Sequence, residues 1–326
     1  MKVAIYSTQS YDQQFFNLVN ADFGHELVYL EPALTANTAI LAAGSDAVCV
    51  FVNDNVDAAT LKVLQQSGIR TLVLRCAGFN QVDLTAAKSL NISVFRVPSY
   101  SPEAVAEHAV AMIMTLNRKT HKAYNRIREG NFSLERLIGF NLHGKIVGLV
   151  GLGQIGLAFA RIMHGFGTTI LAYDPVVKDV PSYIQLTDYD TLISAADILS
   201  IHCPLNDMTR HMVNQSCFDQ MKDGVMLINT SRGAILNSND AIEALKKGKL
   251  GYLGIDVYEQ EDKLFFRDLS ESLIADEQIL RLMSFPNVLI TAHQGFFTTE
   301  ALTEIAETTL QNLTDAEEGS TNKNQL

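Results

Sequence analysis

Short runs of β-branched and apolar residues recur along the chain, separated by stretches whose apolar positions repeat at helical spacing. Within residues 1–97 the pattern predicts strands at Val3–Tyr6, Leu27–Leu30, Ala47–Val52, Thr71–Arg75 and Ser93–Val97. Helices are expected between them, as at Asp57–Gln66 and Leu84–Leu90. Alternation of this kind builds a parallel sheet covered by helices. Ser101-Pro-Glu-Ala104 reads as a helix start, with serine as N-cap, proline at the first helical position and an acid in the first turn. The spacing predicts one long helix to about Arg128, with His108, Met112 and Met114 in its apolar series and the methionines as packing residues.

From Lys145 the alternation restarts. Strands are predicted at Ile146–Val150, Ile170–Tyr173, Ile198–His202, Val225–Thr230, Gly254–Val257 and Val288–Thr291, enough for a complete doubly wound domain of six parallel strands. A last helix is expected from Thr298 to about Glu317, followed by a polar tail expected to fray. That helix can return to the first domain, which would then be discontinuous in sequence. No short-period repeat and no low-complexity segment interrupts this organisation.

With 326 residues, 47% of them hydrophobic, the chain can bury two cores. Its apolar runs fall far short of the roughly 20 residues that span a bilayer. Met1-Lys-Val-Ala-Ile-Tyr-Ser7 lacks the apolar core and cleavage site of a secretion signal, so the mature chain is expected to start here, in the cytoplasm. A formal net charge of -11 disfavours nucleic acid and anionic membranes as partners, and means that an anionic substrate needs its own local cation. Cys49, Cys76, Cys203 and Cys217 are far apart and form no C-x-x-C. They suggest buried, reduced thiols, with neither a disulfide framework nor a metal site.

Gly151, Gly153 and Gly156 have the G-x-G-x-x-G spacing, between the predicted strand Ile146–Val150 and a predicted helix Ile155–His164. Asp174 ends the next strand, about 20 residues further on. In that context the glycines allow a tight turn and let backbone N–H groups approach a pyrophosphate, while Asp174 can accept from ribose hydroxyls. A carboxylate repels a 2′-phosphate, and Pro175-Val-Val177 offers no arginine to receive one, so NAD is favoured over NADP. Lys178 is the one nearby cation on the other side of that choice.

Ligands of open parallel sheets bind beyond the carboxyl ends of the strands. Arg232 follows Asn229-Thr230, Glu261 follows the strand at Gly254, and His293 follows Thr291-Ala292. Singly, each has an ordinary alternative: a surface ion pair, a solvated loop acid, one of eight histidines. Together they suit one chemistry. A guanidinium grips a carboxylate through two hydrogen bonds, a histidine exchanges a proton near neutral pH, and a glutamate favours the charged imidazole. Beside a nicotinamide, these groups would reduce a 2-oxo acid.

The sequence resembles the D-isomer-specific 2-hydroxyacid dehydrogenases over nearly its whole length, and within them the bacterial fermentative D-lactate dehydrogenase branch. The resemblance rests on Arg75-Cys-Ala-Gly-Phe-Asn80, Val97-Pro-Ser-Tyr-Ser-Pro-Glu-Ala-Val-Ala-Glu-His108, the glycine turn, His202-Cys-Pro204, Asn229-Thr-Ser-Arg-Gly233, Asp256-Val-Tyr-Glu-Gln-Glu261 and Thr291-Ala-His293. It implies two doubly wound α/β domains: a flavodoxin-like substrate domain, residues 1–100 and 296–326, and a Rossmann NAD-binding domain, residues 101–295, inserted into it. Arg232, Glu261 and His293 are then the catalytic trio. The implied reaction is hydride transfer from NADH to the carbonyl carbon of pyruvate, with His293 giving its proton to the carbonyl oxygen, Glu261 orienting His293, and Arg232 binding the carboxylate.

On the substrate side the resemblance implies the backbone N–H groups of Ala77 and Gly78 and the hydroxyl of Tyr100. Phe296 and Phe51 would close around the substrate methyl, although Phe51 serves equally well as a core residue. On the cofactor side it implies Gln154 and Ile155 beside the three glycines, with Asp174, Cys203, Pro204, Thr230 and Asp256; Thr209 and Val105 add further contacts. A homo-oligomer, dimer or tetramer, and a D product follow from the resemblance alone.

Gln81 stands where relatives commonly have asparagine. Glu261 argues against the formate-oxidising branch, which carries glutamine there, and the chain has no room for the regulatory domain common in phosphoglycerate dehydrogenases. Two other functions share these features. One is a dehydrogenase for a bulkier 2-oxo acid or glyoxylate; the other is an NAD(H)-sensing binding protein like the corepressors that share the fold.

Overall fold

The computed structural model describes residues 1–320 and 322–326. Its strands are β1 (Lys2–Ile5), β2 (Glu26–Tyr29), β3 (Ala47–Val50), β4 (Thr71–Leu74), β5 (Ser93–Arg96), β6 (Ile146–Val150), β7 (Thr169–Tyr173), β8 (Ile184–Leu186), β9 (Ile198–Ile201), β10 (Val225–Asn229), β11 (Leu250–Ile255) and β12 (Val288–Ile290). Its α-helices are α1 (Ser10–Asn20), α2 (Ala58–Gln66), α3 (Leu84–Ser89), α4 (Pro102–Arg118), α5 (Thr120–Arg128), α6 (Gln154–Gly165), α7 (Tyr189–Ala195), α8 (Gln215–Gln220), α9 (Ser238–Lys246), α10 (Glu277–Met283) and α11 (Thr299–Glu318). The chain divides into two compact units, Met1–Ser101 with Phe296–Leu326, and Pro102–Gly295. Both are α/β, each around a parallel sheet.

In the first unit the strand order is β2-β1-β3-β4-β5, the flavodoxin-like order. Every residue of β3 and β4 is buried, which is why these strands read as unbroken apolar runs. Asp57, Asp83 and Thr298 cap α2, α3 and α11 by accepting from the backbone N–H three residues on. Helix α11 buries Ala301, Leu302, Ile305, Ala306, Leu310 and Leu313, a helical stripe. It joins the core of Val3, Ile5, Phe16, Val73 and Phe95. The last helix is therefore part of the first unit.

The tail expected to fray is instead paired. Gln325 bridges Phe95 in antiparallel fashion, Leu326 N–H donates to Val94 O at 2.9 Å, and Arg96 N–H donates to Asn324 O at 3.0 Å. The edge strand β5 offers unpaired backbone groups, and the tail takes them. Asn312, fully buried on α11, organises the contact. Its amide donates to Arg96 O at 3.0 Å, and its carbonyl accepts from Asn322 and Asn324 at 2.8 and 2.9 Å. Composition marked the tail as polar, but these amide partners lie on other segments.

The second unit has seven parallel strands, not six, in the order β12-β11-β10-β9-β6-β7-β8. Its core is the Rossmann arrangement, with the crossover between β6 and β9 as the topological switch point. The unpredicted strand is β8, three residues long with only Ile184 buried, too short to leave a periodic signal. The long helix predicted from Pro102 to Arg128 is broken. Lys119 has φ 50° and separates α4 from α5, which buries no residue. The segment through Phe140 claims the end of α4: the Asn117 amide exchanges two hydrogen bonds with the Phe140 backbone, at 2.8 Å each, and Lys119 Nζ donates to Ile138 O. Among the described residues no helix is long and apolar enough to cross a membrane.

Asn312→Ala should strand the Arg96 carbonyl and the side-chain amide donors of Asn322 and Asn324, loosening the tail and lowering unfolding free energy by about 2 kcal/mol. Urea titration reads this directly; an unchanged midpoint would show that the Asn312 contacts carry no stability.

Candidate active site

Two of the three glycines of the turn are required by close approach. Gly151 has φ 98°, and a Cβ there would stand 2.7 Å from Cys203 N. A Cβ on Gly156 would stand 2.3 Å from Gly151 O, so this glycine lets α6 approach its strand. Gly153 faces open space and is the N-cap of α6 with no side-chain cap. With no side chain capping it, the N-terminus of α6 suits an anion such as a pyrophosphate.

Asp174, just beyond β7, holds the turn together. Its Oδ2 accepts from Leu152 N–H at 2.8 Å, and its Oδ1 accepts from Val176 and Val177 at 2.8 and 2.9 Å. Burial opposes its charge, but the three backbone donors, led by Val177, outweigh it and hold the carboxyl below the usual range. A carboxylate has about four acceptor positions, so a ribose hydroxyl can still bind.

Other predicted cofactor residues cluster at the same strand ends. Thr230 follows β10; its Oγ1 is buried and has no hydrogen-bond partner. Such an orphaned hydroxyl fits a ligand group arriving at this place. Cys203 is buried, and its thiol is pushed up to about 11 by that burial, so it packs as a neutral thiol. Its carbonyl accepts from Ser231 Oγ at 2.5 Å. Thr209 donates to Pro204 O at 2.7 Å and so shapes the exposed loop after Pro204. The nicotinamide dinucleotide thus fits the residues present: Gly153, the α6 N-terminus, Asp174 and Thr230.

The three residues proposed for chemistry lie at the carboxyl ends of β10, β11 and β12, which are neighbours in the sheet. His293 Nδ1 meets Glu261 Oε1 at 2.8 Å. The other oxygen of Glu261 accepts from Tyr258 N–H at 2.8 Å, which fixes the carboxylate's direction. Both side chains are partly buried. Arg232 Nη1 donates to Ser231 O at 2.7 Å, and Asn229 braces the turn by donating to Arg232 O at 2.9 Å. A Cβ at Gly233 would lie 2.1 Å from Tyr258 C, so the backbone after Arg232 touches the backbone leading to Glu261. Only glycine permits that approach.

The sequence assigns Asp256 a cofactor contact and places His108 only in the apolar series of α4. In the structure Asp256, 1% exposed, ties down the loop bearing His293. Its Oδ1 accepts from Thr291 Oγ1 at 2.5 Å and Gln294 N–H at 2.9 Å; its Oδ2 accepts from Gly295 N–H at 2.8 Å. Burial works against the Asp256 charge, but His108, at 3.3 Å, and then the Thr291 hydroxyl hold its carboxyl below the usual range. His293 N–H donates to Asp256 O at 2.7 Å, and His293 adopts φ 53°, a left-handed conformation rare outside glycine. The available signal was an ionisable residue, His108, in the otherwise apolar face of α4. Val105, on the same helix, lies beside Gly295.

Three of the predicted substrate residues, Phe51, Tyr100 and Phe296, sit together on the first unit. Phe51 and Phe296 rings are 5.8 Å apart, and Tyr100 meets Phe296 edge-on at 6.2 Å. Phe51 is buried, its N–H donates to Asp54 at 2.6 Å, and the Arg75 guanidinium lies 4.7 Å over its ring. Arg75 is itself buried; it donates to Tyr6 O and Ser7 O and pairs with Asp12 at 3.3 Å. Burial works against the charge of this guanidinium, and Asp12 foremost offsets it, holding the group above its ordinary range. Arg96 donates to Ala77 O at 3.0 Å, and Cys76 Sγ to Gly78 O at 3.2 Å, which steadies the loop whose N–H groups are candidates for a carboxylate.

Residues 110–295 match the family model described as the D-isomer specific 2-hydroxyacid dehydrogenase NAD binding domain. The chain belongs to this family of NAD-dependent oxidoreductases. Among its relatives, D-lactate dehydrogenase of Escherichia coli is 51% identical over 328 residues, covering 100% of both chains. The apo structure of that E. coli enzyme superposes with a TM-score of 0.91 at 49% identity, again over 100% of each chain. A structure of the pyruvate reductase of Chlamydomonas reinhardtii gives 0.93 at 42% identity, over 99% of this chain and 98% of that one.

Thr230→Val, which keeps the shape and removes the orphaned hydroxyl, should weaken NADH binding by about fivefold. Thermal stability should be unchanged, because no bond within the chain is lost. Fluorescence titration beside a melting curve measures both; undiminished NADH affinity would remove Thr230 from the cofactor site.

Proposed function

We propose that the protein is an NAD-dependent D-lactate dehydrogenase that reduces pyruvate. The observation that carries this is the Glu261–His293 pair at 2.8 Å, on the strand ends next to the turn of Arg232. The relatives named D-lactate dehydrogenase and pyruvate reductase support the choice of substrate. When bound, NADH supplies the hydride that goes to the carbonyl carbon. Glu261 engages Nδ1 of His293, so the proton for the carbonyl oxygen resides on Nε2. His293 gives that proton as the hydride arrives, and Glu261 stabilises the imidazolium before transfer.

Arg232 carries five N–H donors and spends one on Ser231 O, which leaves a fork to grip the substrate carboxylate and polarise the carbonyl. The N–H groups of Ala77 and Gly78 are proposed to bind the carboxylate as well, with a contact from the Tyr100 hydroxyl. Phe51 and Phe296 are proposed to limit the substrate's alkyl group, consistent with a methyl. Residues 1–100 and 296–326 are thus assigned as the substrate domain and 101–295 as the cofactor domain. The family resemblance supports a cytoplasmic homo-oligomer.

The deciding assay is NADH oxidation with pyruvate, beside phenylpyruvate, 2-oxobutyrate, glyoxylate and hydroxypyruvate, with chiral analysis of the product. Fast conversion of pyruvate to D-lactate is expected. NADH binding without turnover of any of these would sink the proposal. His293→Ala should lower kcat by roughly 100-fold or more, as for loss of a positioned acid. Arg232→Ala should collapse kcat/KM for pyruvate while NADH affinity persists; pyruvate kinetics equal to wild type would remove Arg232 from the mechanism.

A further inference from the structure

His211 and Glu259 lie outside the trio yet touch both of the turns that carry it. His211 Nε2 meets Glu259 Oε1 at 2.5 Å, and Glu259 Oε2 also accepts from Ser238 Oγ at 3.4 Å. The pair is partly sheltered, with 37% and 25% of the side chains exposed. His211 has φ 52°, a left-handed conformation that a non-glycine residue keeps only where its surroundings enforce it. Its N–H donates to Ala234 O at 2.8 Å, and Asn214 donates to its carbonyl at 2.9 Å. The strain therefore buys a defined placement.

That placement closes a loop of contacts. Ala234 is two residues beyond Arg232, and Val213 continues the same pairing through a bridge to Leu236. Glu259 is two residues before Glu261, which holds His293. Gly233 already packs against the Tyr258–Glu259 backbone, leaving space for no side chain. Packing of this kind stops the turns from approaching further, but it does not stop them from separating or sliding. The His211–Glu259 bond, with the His211 N–H on Ala234, supplies the restraint in those directions.

We infer that His211 and Glu259 are positioning residues, which together set the separation between the guanidinium of Arg232 and the Glu261–His293 pair. The inference rests on the assignment of that trio proposed above. An error of about 1 Å between a carboxylate grip and a proton donor costs on the order of 100-fold, so a tie of this kind has kinetic weight without touching substrate.

The test compares His211→Ala, Glu259→Ala, the double variant and Glu259→Gln, with Arg232→Ala as a control. The measurements are kcat and KM for pyruvate, NADH affinity by fluorescence, and the melting midpoint. Breaking the tie should lower kcat/KM for pyruvate about 10- to 100-fold, with NADH affinity held within about twofold. The double variant should be no worse than the more impaired single one, since both lose one contact. Glu259→Gln keeps an acceptor for His211 and should restore most of the activity, which a merely structural loss would not predict. If His211→Ala does not fold, Glu259→Ala decides alone, because it leaves the backbone bond from His211 to Ala234 intact. Pyruvate kinetics near wild type in the Ala variants, or losses that follow NADH affinity and melting point in parallel, overturn the inference. Normal pyruvate kinetics in Arg232→Ala overturn the trio assignment and the inference with it, whereas a crippled Arg232→Ala beside normal His211 and Glu259 variants overturns the inference alone.

Discussion

The buried carboxylate of Asp256 is the constraint on which the geometry of the second unit's strand ends depends. It stands at the end of β11 and accepts from Thr291, Gln294 and Gly295, all on the segment that leaves β12. A parallel sheet fixes where strands end, but not where the loops beyond them go. Here one acid converts the exit from β12 into a fixed loop, with His293 forced into a left-handed backbone and its ring directed to Glu261. His108, reaching in from α4, meets Asp256 Oδ1 at 3.3 Å and Thr291 Oγ1 at 3.1 Å, so the helix is tied into the same cluster. An unpaired buried acid would cost several kcal/mol or take up a proton, and its hold on the loop would weaken.

The glycine turn repeats this design with different parts. Asp174 joins Leu152 of the glycine turn to Val176 and Val177 of its own loop through three backbone N–H groups, as Asp256 gathers the loop of His293. Both carboxylates lie at strand ends, where backbone donors emerge from the sheet without ladder partners. Acids usually credited with ligand contacts therefore also shape the loops that meet the ligand. The first unit shows the cationic counterpart in Arg75, which gathers the carbonyls of Tyr6 and Ser7 and lies over the ring of Phe51.

Much of this was legible in the sequence because strand signals are local. Unbroken apolar runs such as Ala47–Val50 have one sensible interpretation in an α/β chain, and glycines spaced around a strand-to-helix junction have few. The trio could be proposed because its members follow strand ends. The failures share a cause as well. The break at Lys119 depends on Phe140, the docking of the tail on Asn312, and the role of His108 on Thr291 and Asp256. In each case a polar side chain finds a partner distant in sequence, and periodicity carries no record of such a pairing.

Because α11 supplies a wall of the first unit's core, residues near the start of the chain wait for residues near 310 before that core can close. During synthesis on the ribosome, residues 102–295 emerge as a contiguous stretch and can complete their own sheet first. The earlier-made half meanwhile presents an open apolar face where Leu310 and Leu313 will dock. The first part of the chain to be made is thus among the last whose core can close.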